Sequence, residues 1–302
     1  MWVDTHCHLD AGEFGDRSAA VAAEAAQAGV RAIVIPAIAK VNFKEVGRLA
    51  REVGNAVYAL GIHPLYVPTA KESDLEILRT AIGEALDDPL FVGIGEIGLD
   101  FFVPALKEAP LREKQEFFFA EQLKLARDFD LPVLLHVRRS QDIILKYLRR
   151  IRVPGGIAHA FNGSDQQART FVELGLHLGF GGAMTFPRSL QIRRLATELP
   201  LSSIVLETDA PDISPAWRHP GINTPDQIPR IGEVLAELRQ LKERLGYGGC
   251  WVLITRGSLE LRRQLGQVRG RLELLRLLGP HRRSLLLGPR RSTIPCHGLE
   301  SE

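Results

Sequence analysis

Eight short apolar runs with β-strand character recur along this chain, and segments with helical spacing lie between them. The runs cover residues 2–4, 32–35, 57–60, 91–95, 133–136, 156–159, 177–181 and 204–206. Strands that alternate with helices pair in parallel, because each crossover helix returns the chain to the same edge. Eight is also the number of strands that closes a barrel, so we predict an α/β fold of the TIM-type (β/α)8 class. A doubly wound open sheet is the alternative, and the lack of a glycine-rich phosphate-binding motif after the first run disfavours it.

The charge of the chain is unevenly distributed. The net charge is +2, but residues 242–302 hold 12 Lys and Arg against 5 Asp and Glu, which leaves 26 against 31 in residues 1–241. The larger segment is therefore mildly acidic, and its charge gives no support for non-specific binding of nucleic acid. We divide the chain into a barrel over residues 1–241 and an atypical basic segment over residues 242–302.

The basic segment also has an unusual composition, since it contains no Ala, Asp, Asn, Phe or Met. One interpretation is a genuine extension that binds an acidic partner. The interpretation that we favour is a shift of reading frame near residue 240 of a GC-rich gene, with poor order over residues 242–302. Translating the gene in the other frames tests this hypothesis, which fails if none of them continues as a helix.

Cysteine content and hydropathy indicate the compartment. The three cysteines form neither a CxxC motif nor an even set for disulfides, which is typical of a reducing cytoplasm. Strand-like sequence starts at residue 2, so we expect no signal peptide. No apolar run approaches the roughly 20 residues that cross a membrane. We therefore expect a cytoplasmic protein without membrane association.

Two histidines stand at the end of the first run, in the segment Asp4-Thr5-His6-Cys7-His8-Leu9. Alternate side chains of a strand point the same way, so His6 and His8 are expected to share one face. Two adjacent imidazoles can bind one divalent metal, although a pair of surface histidines gives the same pattern.

Further imidazole and carboxylate side chains follow the later runs. They are His63, Glu96, His136, His159 and Asp209. Five of the nine histidines thus lie at predicted strand ends, and the carboxyl ends of barrel strands converge on one catalytic face. This concentration favours a metal centre over isolated core histidines.

The types of ligand narrow the chemistry. Imidazole and carboxylate without thiolate suit Zn²⁺, Mn²⁺, Fe²⁺ or Mg²⁺ rather than a structural zinc site. Four histidines and two carboxylates exceed what one catalytic ion uses, and they fit two ions about 3.5–4 Å apart that share a carboxylate. Such a pair lowers the pKa of bound water from about 15.7 towards 7, which predicts a hydrolase.

These segments, in this order, resemble the TatD family of metal-dependent deoxyribonucleases, which belongs to the amidohydrolase-like barrels. The matching segments are Asp4-Thr5-His6-Cys7-His8-Leu9, Gly61-Ile62-His63-Pro64, Gly95-Glu96-Ile97-Gly98-Leu99-Asp100, Pro132-Val133-Leu134-Leu135-His136-Val137-Arg138, His159-Ala160-Phe161-Asn162-Gly163 and Glu207-Thr208-Asp209-Ala210-Pro211. The resemblance covers roughly residues 1–240 and implies a two-metal centre in a TIM-type barrel. It assigns one ion to His6, His8, Glu96 and Asp209, and the other to Glu96, His136 and His159.

The resemblance also implies catalytic and substrate-binding roles. Asp209 is expected to take the proton of the attacking water as well as to bind metal, and a purely ligating role is the alternative. We expect His63 and Arg138 to contact the substrate phosphate. The alternatives are a ligand-orienting role for His63 and a salt bridge for Arg138. Asp100 and Glu207 are expected to support the metal ligands. Arg218 and Asn223 are expected to line the substrate groove.

Three functional hypotheses follow. The first is a deoxyribonuclease that hydrolyses phosphodiester bonds at the 3′ end of single-stranded DNA, with two divalent ions (Mg²⁺, Mn²⁺ or Zn²⁺) as cofactors and no stable protein partner. The second is an aminoacyl-tRNA deacylase or a small-molecule amidohydrolase on the same centre. Glu96 disfavours the amidohydrolase, because many members of that class carry a carbamylated lysine there. The third is a catalytically impaired metal-binding protein with a basic interaction tail, since residues 242–302 lack the family's usual last helix.

Overall fold

A computed structural model provides the fold, and it describes residues 1–241. The predictions made for residues 242–302, including the shifted reading frame, lie outside the described residues. Within residues 1–241, no helix combines the length and apolarity that a membrane span requires.

Eight parallel strands form one sheet in chain order, and the helices cover its outside. The strands are β1 (Trp2–Asp4), β2 (Val30–Pro36), β3 (Ala56–Leu60), β4 (Phe91–Asp100), β5 (Val133–Arg138), β6 (Gly156–Ala158), β7 (Leu176–Phe180) and β8 (Ile204–Leu206). The helices are α1 (Ser18–Gln27), α2 (Phe43–Val53), α3 (Ser73–Ala85), α4 (Leu111–Asp128), α5 (Gln141–Arg150), α6 (Asp165–Glu173), α7 (Leu190–Glu198) and α8 (Ile228–Leu238). Each predicted run corresponds to one strand, so the TIM-type barrel is confirmed.

The sheet closes between its first and last strands through the residues that follow them. The Thr5 backbone N–H donates to Leu206 O at 3.1 Å, and Cys7 forms an isolated parallel bridge with Ala210. These bonds satisfy edge groups that an open sheet would leave unpaired. Closure therefore joins segments about 200 residues apart in sequence, and it does so on the face that carries the candidate ligands.

Apolar side chains fill the barrel in two layers, because successive residues of a strand point to opposite sides. A small inner cluster contains Val34, Ala59, Leu134, Ile157 and Val205, all buried. A much larger cluster joins the outer strand faces to the helices and includes Ile33 and Ile35, the sequence neighbours of Val34. This core holds the strand ends in fixed positions beneath the site.

The prediction for the β1 histidines needs a correction. β1 ends at Asp4, so His6 and His8 follow the strand rather than lie on it. The chain leaves regular pairing there because the Thr5 N–H turns to β8, while the Cys7 N–H donates to Val34 O of β2 at 3.0 Å. The two side chains still meet, with 3.4 Å between their Nε2 atoms.

Candidate metal centre

The predicted ligands converge at the carboxyl ends of the strands, and the closure of the barrel brings the first of them to the last. The Asp209 N–H donates to His6 O, and the His8 N–H donates to Ala210 O, both at 2.8 Å. Asp209 Oδ1 then lies 3.6 Å from His6 Nε2 and 3.8 Å from His8 Nε2. Asp209 has a φ of 55°, a left-handed conformation that costs a non-glycine residue roughly 1 kcal/mol or more. The paired backbone holds this conformation in place.

Glu96 occupies an irregular position in the middle of β4. Pairing with β5 shifts register between Ile94 and Ile97, and the Glu96 N–H donates to Ala37 O at 3.0 Å instead of to β5. An irregularity of this kind re-aims a side chain, here into the centre of the barrel mouth. Glu96 is 1% exposed, so all of its hydrogen-bonding capacity is used inside the cluster.

The two oxygens of the Glu96 carboxylate face two different sets of imidazoles. Oε2 lies 3.1 Å from His6 Nε2 and 3.3 Å from His8 Nε2. Oε1 lies 2.8 Å from His136 Nδ1 and 3.3 Å from His159 Nε2. A carboxylate divided in this way can serve two groups of ligands at once. The structure thus brings together all six residues predicted to bind metal.

A glycine provides the close approach that the site requires between β4 and β5. Gly98 pairs with His136, and a Cβ on it would lie 2.0 Å from His136 O. Its φ of 153° is also one that side-chain-bearing residues rarely adopt. No other residue type allows β4 to pass this close to the His136 backbone.

Their surroundings leave His6 neutral and Glu96 ionised. Burial lowers the pKa of His6 to about 3, so its ring is neutral at neutral pH. Burial alone would raise the pKa of Glu96, but the neighbouring imidazoles, His63 and His6 first, hold it well below the ordinary value. A neutral imidazole and an ionised carboxylate are the forms that bind metal.

His159 and Asp209, which both lie beside His6, attract protons. Burial lowers the pKa of His159, but the Asp209 and Glu96 carboxylates outweigh it and raise that pKa well above the ordinary value. Burial raises the pKa of Asp209 to about 6. The cluster therefore favours positive charge at its centre, which protons supply in the free protein and which a divalent cation can supply in their place.

Two carboxylates lie behind candidate ligand histidines, and of these Asp100 makes a hydrogen bond whereas Glu207 is in ion-pairing distance only. Asp100 Oδ2 lies 3.2 Å from His136 Nε2, and Glu207 Oε1 lies 3.5 Å from His159 Nδ1. Histidines that bind metal commonly donate their second N–H to such a carboxylate, which fixes the tautomer and the ring orientation. Burial opposes ionisation of Asp100, but hydrogen bonds from His136 and from the backbone N–H groups of Val103 and Phe102 lower its pKa to about 2.

His63 lies inside the cluster, yet its hydrogen bonds differ from those of the ligands. Its Nε2 is 3.3 Å from Glu96 Oε1 and 3.0 Å from His136 Nδ1, so distance alone would group it with them. However, its Nδ1 accepts a hydrogen bond from the Leu65 N–H at 3.1 Å. Burial lowers the pKa of His63 to about 4, and a neutral ring that accepts at Nδ1 carries its hydrogen on Nε2. His63 is therefore poised as a donor rather than as a ligand.

The other residues predicted to contact substrate differ in their exposure and hydrogen bonding. Arg138 is half exposed at the end of β5, with its Nη1 3.8 Å from Asp100 Oδ2, so both expectations for it stay open. Arg218 is exposed and donates to Thr224 Oγ1 at 3.0 Å. Asn223 is fully buried, and its amide donates to Thr208 O at 2.8 Å. Its side chain stabilises the loop after β8 and does not line a groove, contrary to the expectation.

Sequence reasoning gave no role to Asp4, which proves to organise the end of β8. Its Oδ1 accepts the Thr208 N–H at 2.9 Å, and its Oδ2 accepts the Thr208 hydroxyl at 2.5 Å. Burial raises the pKa of Asp4 to about 8. Asp4 opens the first matching segment, but its partner Thr208 lies 204 residues later in the sequence, so no local pattern predicts the contact.

Comparisons with known proteins agree with this geometry. Residues 3–245 match the family model described as TatD related DNase. The chain belongs to the TatD family. It is 41% identical over 240 residues to the metal-dependent hydrolase YjjV of Escherichia coli (strain K12), a match that covers 79% of this chain and 90% of YjjV. A metal-dependent hydrolase of Haemophilus influenzae is 38% identical over 241 residues, covering 78% and 91% of the two chains.

A solved structure supports the same assignment. The crystal structure of YjjV superposes with a TM-score of 0.78 at 38% identity and covers 87% of this chain and 97% of YjjV. TatD membership, these relatives and the clustered ligands together identify a metal-dependent hydrolase. The donor set fits a divalent cation, because several groups of three side chains offer only imidazole nitrogen and carboxylate oxygen, with their ligand atoms within 4.8 Å of one another. These groups are His6, His8 and Asp209; His6, Glu96 and His159; and His63, Glu96 and His136.

Proposed function

We propose that this TatD-family chain is a deoxyribonuclease that hydrolyses phosphodiester bonds at the 3′ end of single-stranded DNA. The observation that carries the proposal is the divided Glu96 carboxylate, with Oε2 towards His6 and His8 and Oε1 towards His136 and His159. Two-metal centres are typical of enzymes that cleave phosphodiesters by in-line displacement. The family description as a DNase supports the choice of DNA as substrate.

Two ions would share Glu96. His6, His8 and Asp209, whose ligand atoms lie within 4.8 Å of one another, would complete one site. His136 and His159, which both face Glu96 Oε1, would complete the other. Mg²⁺, Mn²⁺ and Zn²⁺ all accept such ligands. When bound, the ions supply Lewis acidity and lower the pKa of a water molecule.

Asp209 is the group best placed to hold the proton of the attacking water. It is 14% exposed, whereas Glu96 is 1% exposed, so its carboxylate is the more open of the two. Burial raises its pKa to about 6, which brings it near the working range of a general base. We assign proton transfer to the Asp209 carboxylate.

His63 and Arg138 are proposed to bind the substrate phosphate. The Nε2–H of His63 points into the cluster, while the guanidinium of Arg138 stands half exposed at its edge. A neutral donor and a fixed cation on one phosphoryl group offset the negative charge that grows in the transition state.

A substrate panel tests the proposal. The metal-loaded chain, its chelator-treated form and the Asp209→Asn variant are each given a single-stranded oligodeoxynucleotide labelled at either end, an aminoacyl-tRNA and an N-acyl amide. We expect metal-dependent release of nucleotides from the 3′ end and at least a 1,000-fold loss of rate in Asp209→Asn, with an unchanged circular dichroism spectrum. Hydrolysis of only the aminoacyl-tRNA or the amide would instead favour a deacylase or an amidohydrolase. No hydrolysis by a chain that binds metal would favour the impaired metal-binding protein, and full activity in Asp209→Asn would refute the role of that residue.

A further inference from the structure

An exposed aromatic ring stands beside the metal centre with two guanidinium groups against it. Phe102 follows β4 and is 44% exposed, an unusual degree for a phenylalanine ring. The guanidinium carbon of Arg138 lies 3.8 Å from the ring centroid, and that of Arg139 lies 4.8 Å away. We call Phe102, Arg138 and Arg139 the rim platform.

The rim platform is fixed to the metal centre through Asp100. The Phe102 N–H donates to Asp100 Oδ1 at 2.8 Å, and the other oxygen of the same carboxylate lies 3.2 Å from His136 Nε2. The Phe101 N–H donates to Arg138 O at 2.9 Å, which ties the two loops together. A ligand on the platform is thus held at a set distance from the reacting phosphate.

Arg139 carries a positive charge that its surroundings do not neutralise. Among residues 1–241, it has no carboxylate within ion-pairing distance, and its side chain is exposed. Its φ of 56° is left-handed, a conformation that non-glycine residues adopt at a cost and that often marks functional sites. An unpaired cation beside a phosphodiester centre favours a second phosphate.

The opposite side of the barrel mouth has different chemistry. A cavity of about 490 Å³ lies between the loops that follow β7 and β8. Its described lining includes Glu13 and Asp212 but no lysine or arginine. Two carboxylates face this cavity, whereas two guanidinium groups face the rim platform, so charge favours a nucleic-acid strand that leaves the centre over the platform.

We propose that Phe102 and Arg139 form a specificity subsite for single-stranded DNA. The nucleotide next to the scissile bond places its base on the exposed part of the Phe102 ring and its phosphate on Arg139. Aromatic stacking and a cationic track are the two elements by which proteins bind single strands, and paired bases cannot present a free face to the ring. This inference rests on the proposed nuclease function and adds residues to the same site.

Binding measurements test the subsite without relying on catalysis. The affinity of a fluorescent single-stranded oligodeoxynucleotide is measured by anisotropy in an Asp209→Asn background, with Phe102→Leu or Arg139→Gln added. Matched controls are Phe117→Leu on α4, where the ring is 42% exposed, and Arg79→Gln on α3, whose guanidinium lies over Phe129. We expect each subsite variant to weaken binding about tenfold and the controls to leave it unchanged.

Kinetics with Asp209 restored separate the subsite from the chemical step. The ratio of kcat/KM for the oligonucleotide to kcat/KM for bis(4-nitrophenyl) phosphate should fall about tenfold in Phe102→Leu, mainly through KM. Unchanged affinity in the subsite variants, or equal losses in the controls, overturns the subsite. If the protein without substitutions cleaves neither substrate, the proposed nuclease function is refuted. If Phe102→Leu and Arg139→Gln still weaken DNA binding in that case, the subsite is retained.

Discussion

At the scale of single residues, hydrogen bonding separates roles that distance leaves mixed. His63 and His136 both lie within 3.3 Å of Glu96 Oε1. His136 donates to Asp100 behind it, as metal ligands do, whereas His63 accepts from the Leu65 N–H and so keeps its hydrogen on Nε2. For these two histidines, the partner of the distal ring nitrogen therefore distinguishes the expected metal ligand from the expected donor.

This difference gives a prediction for two matched variants. His63→Gln should retain its metal and lose about 100-fold in kcat, because one donor to the transition state is removed. Loss of a residue that merely supports a ligand weakens metal binding by about 10–100-fold, and His136→Gln should weaken it by more, because it removes a ligand itself. Metal content by mass spectrometry and steady-state kinetics check both. Loss of metal from His63→Gln would show that His63 is a ligand after all.

At the scale of elements, close packing between neighbouring strands positions the carboxylates. Gly179 of β7 lies beneath the end of β8, and a Cβ on it would lie 2.0 Å from Glu207 Oε2. Glu207 is buried, and its Oε1 accepts the Ala160 N–H at 2.5 Å, just after the ligand His159. Gly179 on β7 thus leaves the space for Glu207, which in turn holds the loop that carries His159.

Filling that space should disturb the site. Gly179→Ala should destabilise the protein by about 1–3 kcal/mol through overpacking and should lower metal affinity as Glu207 moves. Gly83→Ala, on the exposed face of α3 with no atom within 4 Å of the new Cβ, is the control and should stabilise by about 0.4–1 kcal/mol. Urea denaturation and metal titration measure the two effects. Equal behaviour of the two variants would contradict the packing argument.

An ion pair between helical elements gives the expected response to pH. Lys40 Nζ lies 2.6 Å from Asp74 Oδ1 at the start of α3. Burial raises the pKa of Asp74, but Lys40 and the Lys71 N–H outweigh it and hold the pKa below its ordinary value. A lowered pKa contributes stability that is present above the pKa of the unfolded chain, near 3.9, and is lost as pH falls through the folded value.

Asp74→Asn should therefore cost about 1 kcal/mol at pH 7, a modest figure because Lys40 is 40% exposed and solvent screens the pair. The difference in free energy of unfolding between the two proteins should shrink towards zero as the pH falls through the lowered pKa of Asp74. Urea titrations across pH measure it. A difference that stays constant, or that grows in acid, would show that the pair contributes nothing through charge.

The existence of the strands could be predicted from the sequence better than the residues at which they end. All eight strands follow from apolar runs, but β4 continues to Asp100, beyond the predicted end at residue 95. The extension could not be foreseen, because Gly95 and Glu96 interrupt the apolar run and pairing with β5 resumes only at Ile97. The same irregularity aims Glu96 at the site, so the local rule fails at a functional position.

At the scale of the whole molecule, the site depends on closure of the barrel. Asp209 reaches His6 because the segments after β1 and β8 pair with each other, with Asp4 accepting from Thr208 beneath them. The convergence of the six candidate metal ligands could be predicted from their places at strand ends and from the family resemblance. The rim platform and the role of Asp4 could not, because they arise from contacts between loops rather than from any spacing along the chain.

Crystals soaked in Mn²⁺ can show whether Glu96 joins two metal ions at the mouth of this barrel. In an anomalous-difference map, we predict two peaks on opposite sides of the Glu96 carboxylate, one beside His6 and His8 and the other beside His136 and His159. A single peak at Glu96, or none there, would refute a shared two-metal centre.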